Sequence, residues 1–289
     1  MSSFSIEYIS SLKDFLRDYR SRPMIVVGVG RSGTTPLCYA LHEHPDVLMT
    51  LGHSPMIPWF GKAAYQYFES ASRSYYQRYT VLPGDDLLTR LRGLCFDCVW
   101  NEEELLTVTR KKLNKRDSSS HSEVRRWGTR AYPDEQAASG LTWIFPGTAF
   151  INIVRSGIEV VQSMSKYKAY RHLDFNKRCH FWADRIVRDH FLSSRQDCFS
   201  IRFEDMLERP DATMSAVLAF LGLRREDAPA RFLRECLVHP LGGPSVSANP
   251  AHVHKQRPPA FTTWTAEEKD IFRSICGPAM ALLNYPIPF

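Results

Sequence analysis

The sequence predicts a three-layer α/β sandwich with a central parallel sheet. Three short runs carry that prediction: Met24–Val29 (MIVVGV), Phe150–Val154 (FINIV) and Cys198–Phe203 (CFSIRF). Each is dominated by apolar, β-branched or aromatic residues, as expected of strands covered on both faces. Each is followed by a stretch whose apolar residues recur at helical spacing.

The first run leads into the most informative stretch of the chain. Gly28, Gly30 and Gly33 break the strand into a tight loop, and from about Ser32 the pattern changes period, with Leu37, Ala40 and Leu41 on one helical face. Pro36 fits a first helical turn, and His44-Pro45 ends the helix. A strand, a glycine loop and a helix aim free backbone N–H groups and a positive dipole end at a phosphate. Thr34 and Thr35 add hydroxyl donors, and Arg31 adds a fixed positive fork suited to phosphate or sulfonate oxygens. The spacing resembles the nucleotide P-loop, G-x-x-x-x-G-K-[ST], except that Thr34 stands in the lysine position.

The string RSGTT, followed by a helix that ends HPDV, resembles the 5′-phosphosulfate loop of sulfotransferases that use 3′-phosphoadenosine 5′-phosphosulfate (PAPS). The arginine version resembles the tyrosylprotein and bacterial branches of that family. The resemblance implies a nucleotide-kinase-like sulfotransferase fold, PAPS as cosubstrate and no metal. It also implies that Arg31, Ser32, Gly33, Thr34 and Thr35 form the phosphosulfate-binding set.

Composition bounds the rest. A chain of 289 residues with 44% hydrophobic and 24% charged content fits one large α/β domain with insertions, spanning residues 1–289. The net charge of +6 favours an acidic ligand such as a multiply phosphorylated nucleotide. The basic run RKKLNKR at Arg110–Arg116 is too short for a nucleic-acid arm, so no nucleic-acid partner is expected. No segment approaches the roughly 18 apolar residues of a membrane span. The N-terminal stretch reads as an amphipathic helix (Ile6, Ile9, Leu12, Phe15, Leu16, Tyr19), not a secretory signal. Seven cysteines without framework spacing point to free thiols and a cytoplasmic location. Cys95-Phe-Asp-Cys98 lacks a second pair for a zinc site and reads as helix packing.

After the loop, Val47–Thr50 reads as a short strand. Aligning Ile57-Pro58 with the Ile-Pro pair of the tyrosylprotein branch, with one inserted residue, places His53 where that branch carries a glutamate as its catalytic base. An imidazole, with an ordinary pKa near ~6.5, can take a proton from a hydroxyl at neutral pH. Trp59–Tyr79 is rich in aromatics, and Asp85–Leu113 is helix-like; in the resembled family this insertion, about 52–125, builds the acceptor site. Asn114–Glu123 is polar and reads as a surface loop. Arg126–Ala131 precedes a helical stretch to Phe145, and Arg130 stands where bacterial members carry a lysine, which implies a hold on the sulfonyl oxygens.

Arg155 sits at the carboxyl end of the Phe150–Val154 strand, and Ser163 lies eight residues on. The pair resembles the family's 3′-phosphate site, with Lys166 and Lys168 adding positive field. Asp174–Ser194 reads as a helix. The run SIRFEDMLERPDATMSAVLAFLGL resembles the family's Tyr-Glu-Asp segment, with Phe203 in the tyrosine's place beside the adenine. The loop at about 242–263 matches the family's cofactor-covering loop, with Lys255 and Arg257 as its basic residues, and Trp264–Leu283 reads as a closing helix.

The reaction implied is transfer of a sulfonate from PAPS to a hydroxyl, or an amine, of a small-molecule or carbohydrate acceptor. His53 is the base, and Arg31 and Arg130 stabilise charge. Two alternatives stay open. A P-loop kinase or NTPase needs a lysine at position 34 and a strand-ending aspartate for Mg²⁺. A non-catalytic nucleotide-binding protein of the same fold needs no base at position 53.

Overall fold

The computed structural model describes residue 14 and residues 21–71, 84–100, 124–235 and 259–289. The expected N-terminal helix apart from residue 14, the Asn114–Glu123 loop, Tyr75, Tyr76 and Tyr79, and the covering loop up to residue 258, with Lys255 and Arg257, lie outside the described residues.

Five strands form one sheet: β1 (Met24–Val27), β2 (Val47–His53), β3 (Arg126–Arg130), β4 (Ala149–Val154) and β5 (Cys198–Arg202). Their order is β2-β3-β1-β4-β5, and every pairing is parallel. Alternate residues of β1 feed opposite layers, as the two-residue period of a strand requires. Ile25 and Val27 join Leu48, Trp127 and Phe150 beneath α2 (Ile57–Ala71), α3 (Gly84–Val99) and α4 (Glu135–Ile144). Met24 and Val26 join Val47, Met49, Ile151 and Ile153 on the other face, beneath α1 (Thr34–Glu43), α7 (Phe203–Glu208), α8 (Pro210–Phe220) and α9 (Ala228–Leu233). The sheet is thus sandwiched between helical layers.

A third cluster joins α5 (Gly157–Ser165), α6 (Phe175–Asp189) and α10 (Ala266–Leu282) through Val161, Met164, Trp182, Ile186, Phe272 and Met280. Side-chain caps start two of these helices. Asp174 accepts from the Lys177 N–H at 2.8 Å, and Thr265 and Glu268 form a reciprocal capping box.

The structure corrects the sequence reading at several elements. RWGTR is the strand β3 and not merely a lead-in to a helix, and it fills the place between β1 and β2. Its polar residues hid it, and three of them are tied to distant parts of the chain. Arg126 donates to the carbonyl oxygens of Leu221 (2.5 Å), Arg22 and Gly147 (both 3.3 Å). Trp127 Nε1 donates to Ser21 Oγ at 2.5 Å, and Thr129 bonds Thr50 and Ser54. β2 continues past Thr50 to His53, and the aromatic stretch begins as helix α2. There Tyr65 stacks on Trp143 of α4 at 5.4 Å, and Phe68 meets the same ring edge-on. These aromatics pack two helices together. The helix expected from Asp85 ends at Val99 within the described residues; Cys95 is buried in it and Cys98 exposed.

Candidate active site

In a parallel sheet every strand points its carboxyl end to one edge, and the loops there are the natural place for a ligand. Here that edge carries the glycine loop after β1, His53 at the end of β2, Arg130 at the end of β3 and Arg155 just after β4.

The loop turns sharply. Arg31 has φ +76° and Gly33 φ +98°, both in the left-handed region, and Ser32 N–H bonds the Val29 carbonyl at 3.0 Å. A non-glycine residue held at such a φ stores strain and is retained where the backbone is needed in one shape. Gly33 has a second constraint: a Cβ there would stand 2.3 Å from Phe203 Cδ2. The chain can therefore enter α1 only with glycine at this position. The Ser32 hydroxyl is buried, and its oxygen has no partner among the described residues.

The two phosphate-type motifs meet directly. Arg31 Nε donates to Ser163 Oγ at 3.1 Å, and Arg155 Nη1 donates to the Arg31 carbonyl at 3.1 Å. The Arg155 guanidinium lies over the Phe203 ring at 4.3 Å and pairs with Glu159 at 3.5 Å. Phe203 (6% exposed) is packed between Gly33 and Arg155. Burial pulls the Arg155 guanidinium below its ordinary value, against the opposing pull of Glu159 and Glu204. Glu204, next to Phe203, accepts from the Ser156 N–H at 3.2 Å and from the Tyr285 hydroxyl at 2.6 Å. The chain's C-terminal segment is thereby tied to the start of α5. Lys166 and Lys168 stand beyond Ser163, both exposed on the surface.

Arg130 Nη1 donates to Thr35 Oγ1 at 2.7 Å, which joins β3 to the loop's last threonine. Its buried Nε has no partner among the described residues, and neither has Arg155 Nε. Three buried polar atoms without partners, Ser32 Oγ, Arg130 Nε and Arg155 Nε, thus surround one loop. Donors of this kind suit an anion.

His53 pairs in register with Arg130 across β2 and β3. Its ring packs on Tyr132 at 4.7 Å, and Tyr132 carries the Arg185 guanidinium on its ring at 4.5 Å. Part burial of the imidazole, and then the charges of Arg130 and Arg185, hold its pKa below the ordinary value. Tyr132 also lines a cleft of about 310 Å³, together with Val29, Gly30, Tyr170, Phe181 and Arg185 among others. Tyr132, Tyr167, Tyr170 and Arg185 escaped the sequence reading. Among 12 tyrosines in the chain, the one usable signal was that Tyr167 and Tyr170 follow Ser163 by four and seven residues. Among the described residues, no three His, Cys, Asp or Glu side chains gather at metal-binding distance.

The profile described as the sulfotransferase family matches residues 23–227. The chain belongs to the sulfotransferase family. That span contains the loop, His53, Arg130, Arg155, Ser163 and Phe203, and the protein is accordingly a sulfotransferase enzyme. A mouse sulfotransferase complexed with PAP is similar in fold, at 14% identity and a TM-score of 0.50, over 97% of this chain and 91% of that one. A Mycobacterium avium sulfotransferase aligns at 14% identity and a TM-score of 0.49, over 98% of this chain and 82% of that one. Retinol dehydratase, in complex with androsterone and PAP, aligns at 10% identity and a TM-score of 0.49, over 99% and 87% of the two chains. No curated protein sequence matches the chain. Among the described residues of this sulfotransferase, no helix is long and apolar enough to cross a membrane.

Proposed function

We propose that the protein transfers the sulfonate of PAPS to a hydroxyl group of a small-molecule or carbohydrate acceptor. The observation that carries this reading is the joining of the two motifs by the Arg31–Ser163 and Arg155–Arg31 hydrogen bonds. It sets a glycine loop, two arginines and a serine side by side at one sheet edge. Such a set accommodates a ligand with a phosphate at each end of its ribose.

In this reading the backbone N–H groups of Ser32, Gly33, Thr34 and Thr35 receive the 5′-phosphosulfate, while Arg155 and Ser163 receive the 3′-phosphate. PAPS supplies an activated sulfonate whose sulfur–oxygen bond to phosphate breaks as the acceptor oxygen attacks. His53 takes the acceptor's proton, for which its neutral form is required. Arg130, tied to Thr35 and with Nε unpaired among the described residues, faces the charge that gathers on the sulfonyl oxygens. Arg31 stands between the two phosphate sites and contributes charge to both. Phe203 acts through packing, by fixing Arg155 and the Gly33 turn. Lys255 and Arg257 are assigned to the covering loop on family resemblance. The six described cysteines are free, which suits the cytoplasm.

Incubation with PAPS carrying labelled sulfonate and fractionated metabolite pools is expected to label a hydroxyl compound, without added Mg²⁺. Label remaining wholly in PAPS with every pool would contradict the assignment.

A further inference from the structure

Residues 166–174 form a run of turns after α5 that brings two tyrosines back over the phosphate loop. Tyr167 takes the Arg31 guanidinium on its ring at 4.5 Å. Tyr170 reaches further, to the loop backbone. At Gly30 a Cβ would stand 2.2 Å from the Tyr170 hydroxyl oxygen and 2.9 Å from Cζ, so the phenol occupies the space that any side chain there would need. Its ring is held by Phe181 at 5.2 Å and Tyr167 at 6.0 Å.

The hydroxyl itself makes no hydrogen bond to a described residue, although it borders the cleft that also contains Tyr132. Tyr132 in turn packs on His53. A tyrosine fixed by its ring while its O–H lacks a protein partner is set to bond water or a ligand. Arg31, Arg130 and Arg185 all bear on Tyr170 and favour its ionisation, but burial and Tyr167 outweigh them and hold its pKa above the ordinary value. The group is therefore an O–H donor at neutral pH.

We propose that Tyr170 is a further catalytic residue, its hydroxyl donating a hydrogen bond to a sulfonyl oxygen during transfer. The inference rests on the sulfonate-transfer reading above. Gly30 directly precedes Arg31 in the loop, so a donor against its backbone stands at the end of the phosphosulfate site that adjoins the cleft. As the bond from sulfur to the phosphate oxygen breaks and the bond to the acceptor oxygen forms, charge spreads over the sulfonyl oxygens. A donor fixed beforehand stabilises that charge without reorganisation.

The test is Tyr170→Phe, which keeps the ring and its packing. Two quantities are measured on both proteins: PAP affinity by calorimetry, and steady-state turnover of labelled PAPS with the pool that supports wild-type transfer. The expected result is a fall in kcat of about 10²-fold, with PAP affinity and the KM for PAPS changed by less than about twofold. If kcat instead falls only together with thermal stability and PAP affinity, the hydroxyl serves the shape of the loop and not the transfer step, and that result would overturn the assignment. Wild-type kcat in the variant would overturn it as well, while leaving the sulfonate-transfer reading intact. Wild-type protein that binds no PAP and labels nothing would overturn that reading, and this inference with it.

Discussion

Replacing His53 with alanine is expected to lower kcat by about 10²–10⁴-fold while leaving PAP affinity nearly unchanged. A general base acts only in the chemical step, so its loss should spare ground-state binding of the nucleotide. Single-turnover rates and calorimetry on the same preparations separate the two effects. The pH profile gives an independent check with a definite sign. Burial, Arg130 and Arg185 lower the pKa of His53, so its neutral, active form persists to lower pH than an unperturbed imidazole would allow. The rate should therefore fall on the acid side below ~6.5. Arg130→Gln removes one of the charges depressing His53, so it should move that limb upward in pH as well as slowing turnover. If His53→Ala keeps most of its turnover, or the acid limb lies near the carboxylate range, the base is another residue.

The second large effect is expected at Arg155. Its guanidinium supports the loop through the Arg31 carbonyl and packs on Phe203, and Ser163 is linked to the same loop through Arg31. Arg155→Ala should weaken PAP binding by about 2–4 kcal/mol, roughly 30- to 1,000-fold, the scale expected when a phosphate is deprived of a charge-assisted pair of hydrogen bonds. AMP binding should change far less, because AMP lacks the 3′-phosphate. Arg155→Lys keeps the charge but loses the planar fork, so it should recover only part of the affinity. Equal losses for PAP and AMP would assign Arg155 to the loop's shape and not to the 3′-phosphate.

The candidate site divides sharply by what a linear sequence can display. The glycine loop, Arg155 and Ser163 stood out in the sequence because the motifs they resemble set residue types at fixed spacing next to a strand, and the structure joins them through side-chain hydrogen bonds. β3 was not legible, since Arg126, Gly128 and Thr129 break the apolar pattern. Their polarity is satisfied by carbonyls and hydroxyls from distant parts of the chain, and Gly128 makes room for Met24 and Met49. The wall of the cleft was hidden for a related reason. Tyr132, Tyr170 and Arg185 come from three separate segments, and only the packing of α6 and the turns after α5 against the loop assembles them. In the described part of the aromatic insertion the residue types were plain but their use was not. Tyr65 and Phe68 pack against Trp143, whereas Trp59 is 72% exposed. Periodicity alone does not say which aromatic faces a helix and which faces solvent.

The most direct test of the paired phosphate sites is calorimetric titration of the wild-type protein with PAP and with AMP, without Mg²⁺. The two motifs together predict that PAP binds, and binds about 30- to 1,000-fold more tightly than AMP, because only PAP engages Arg155 and Ser163 as well as the loop. Equal affinity for the two nucleotides, or binding that requires Mg²⁺, would contradict it.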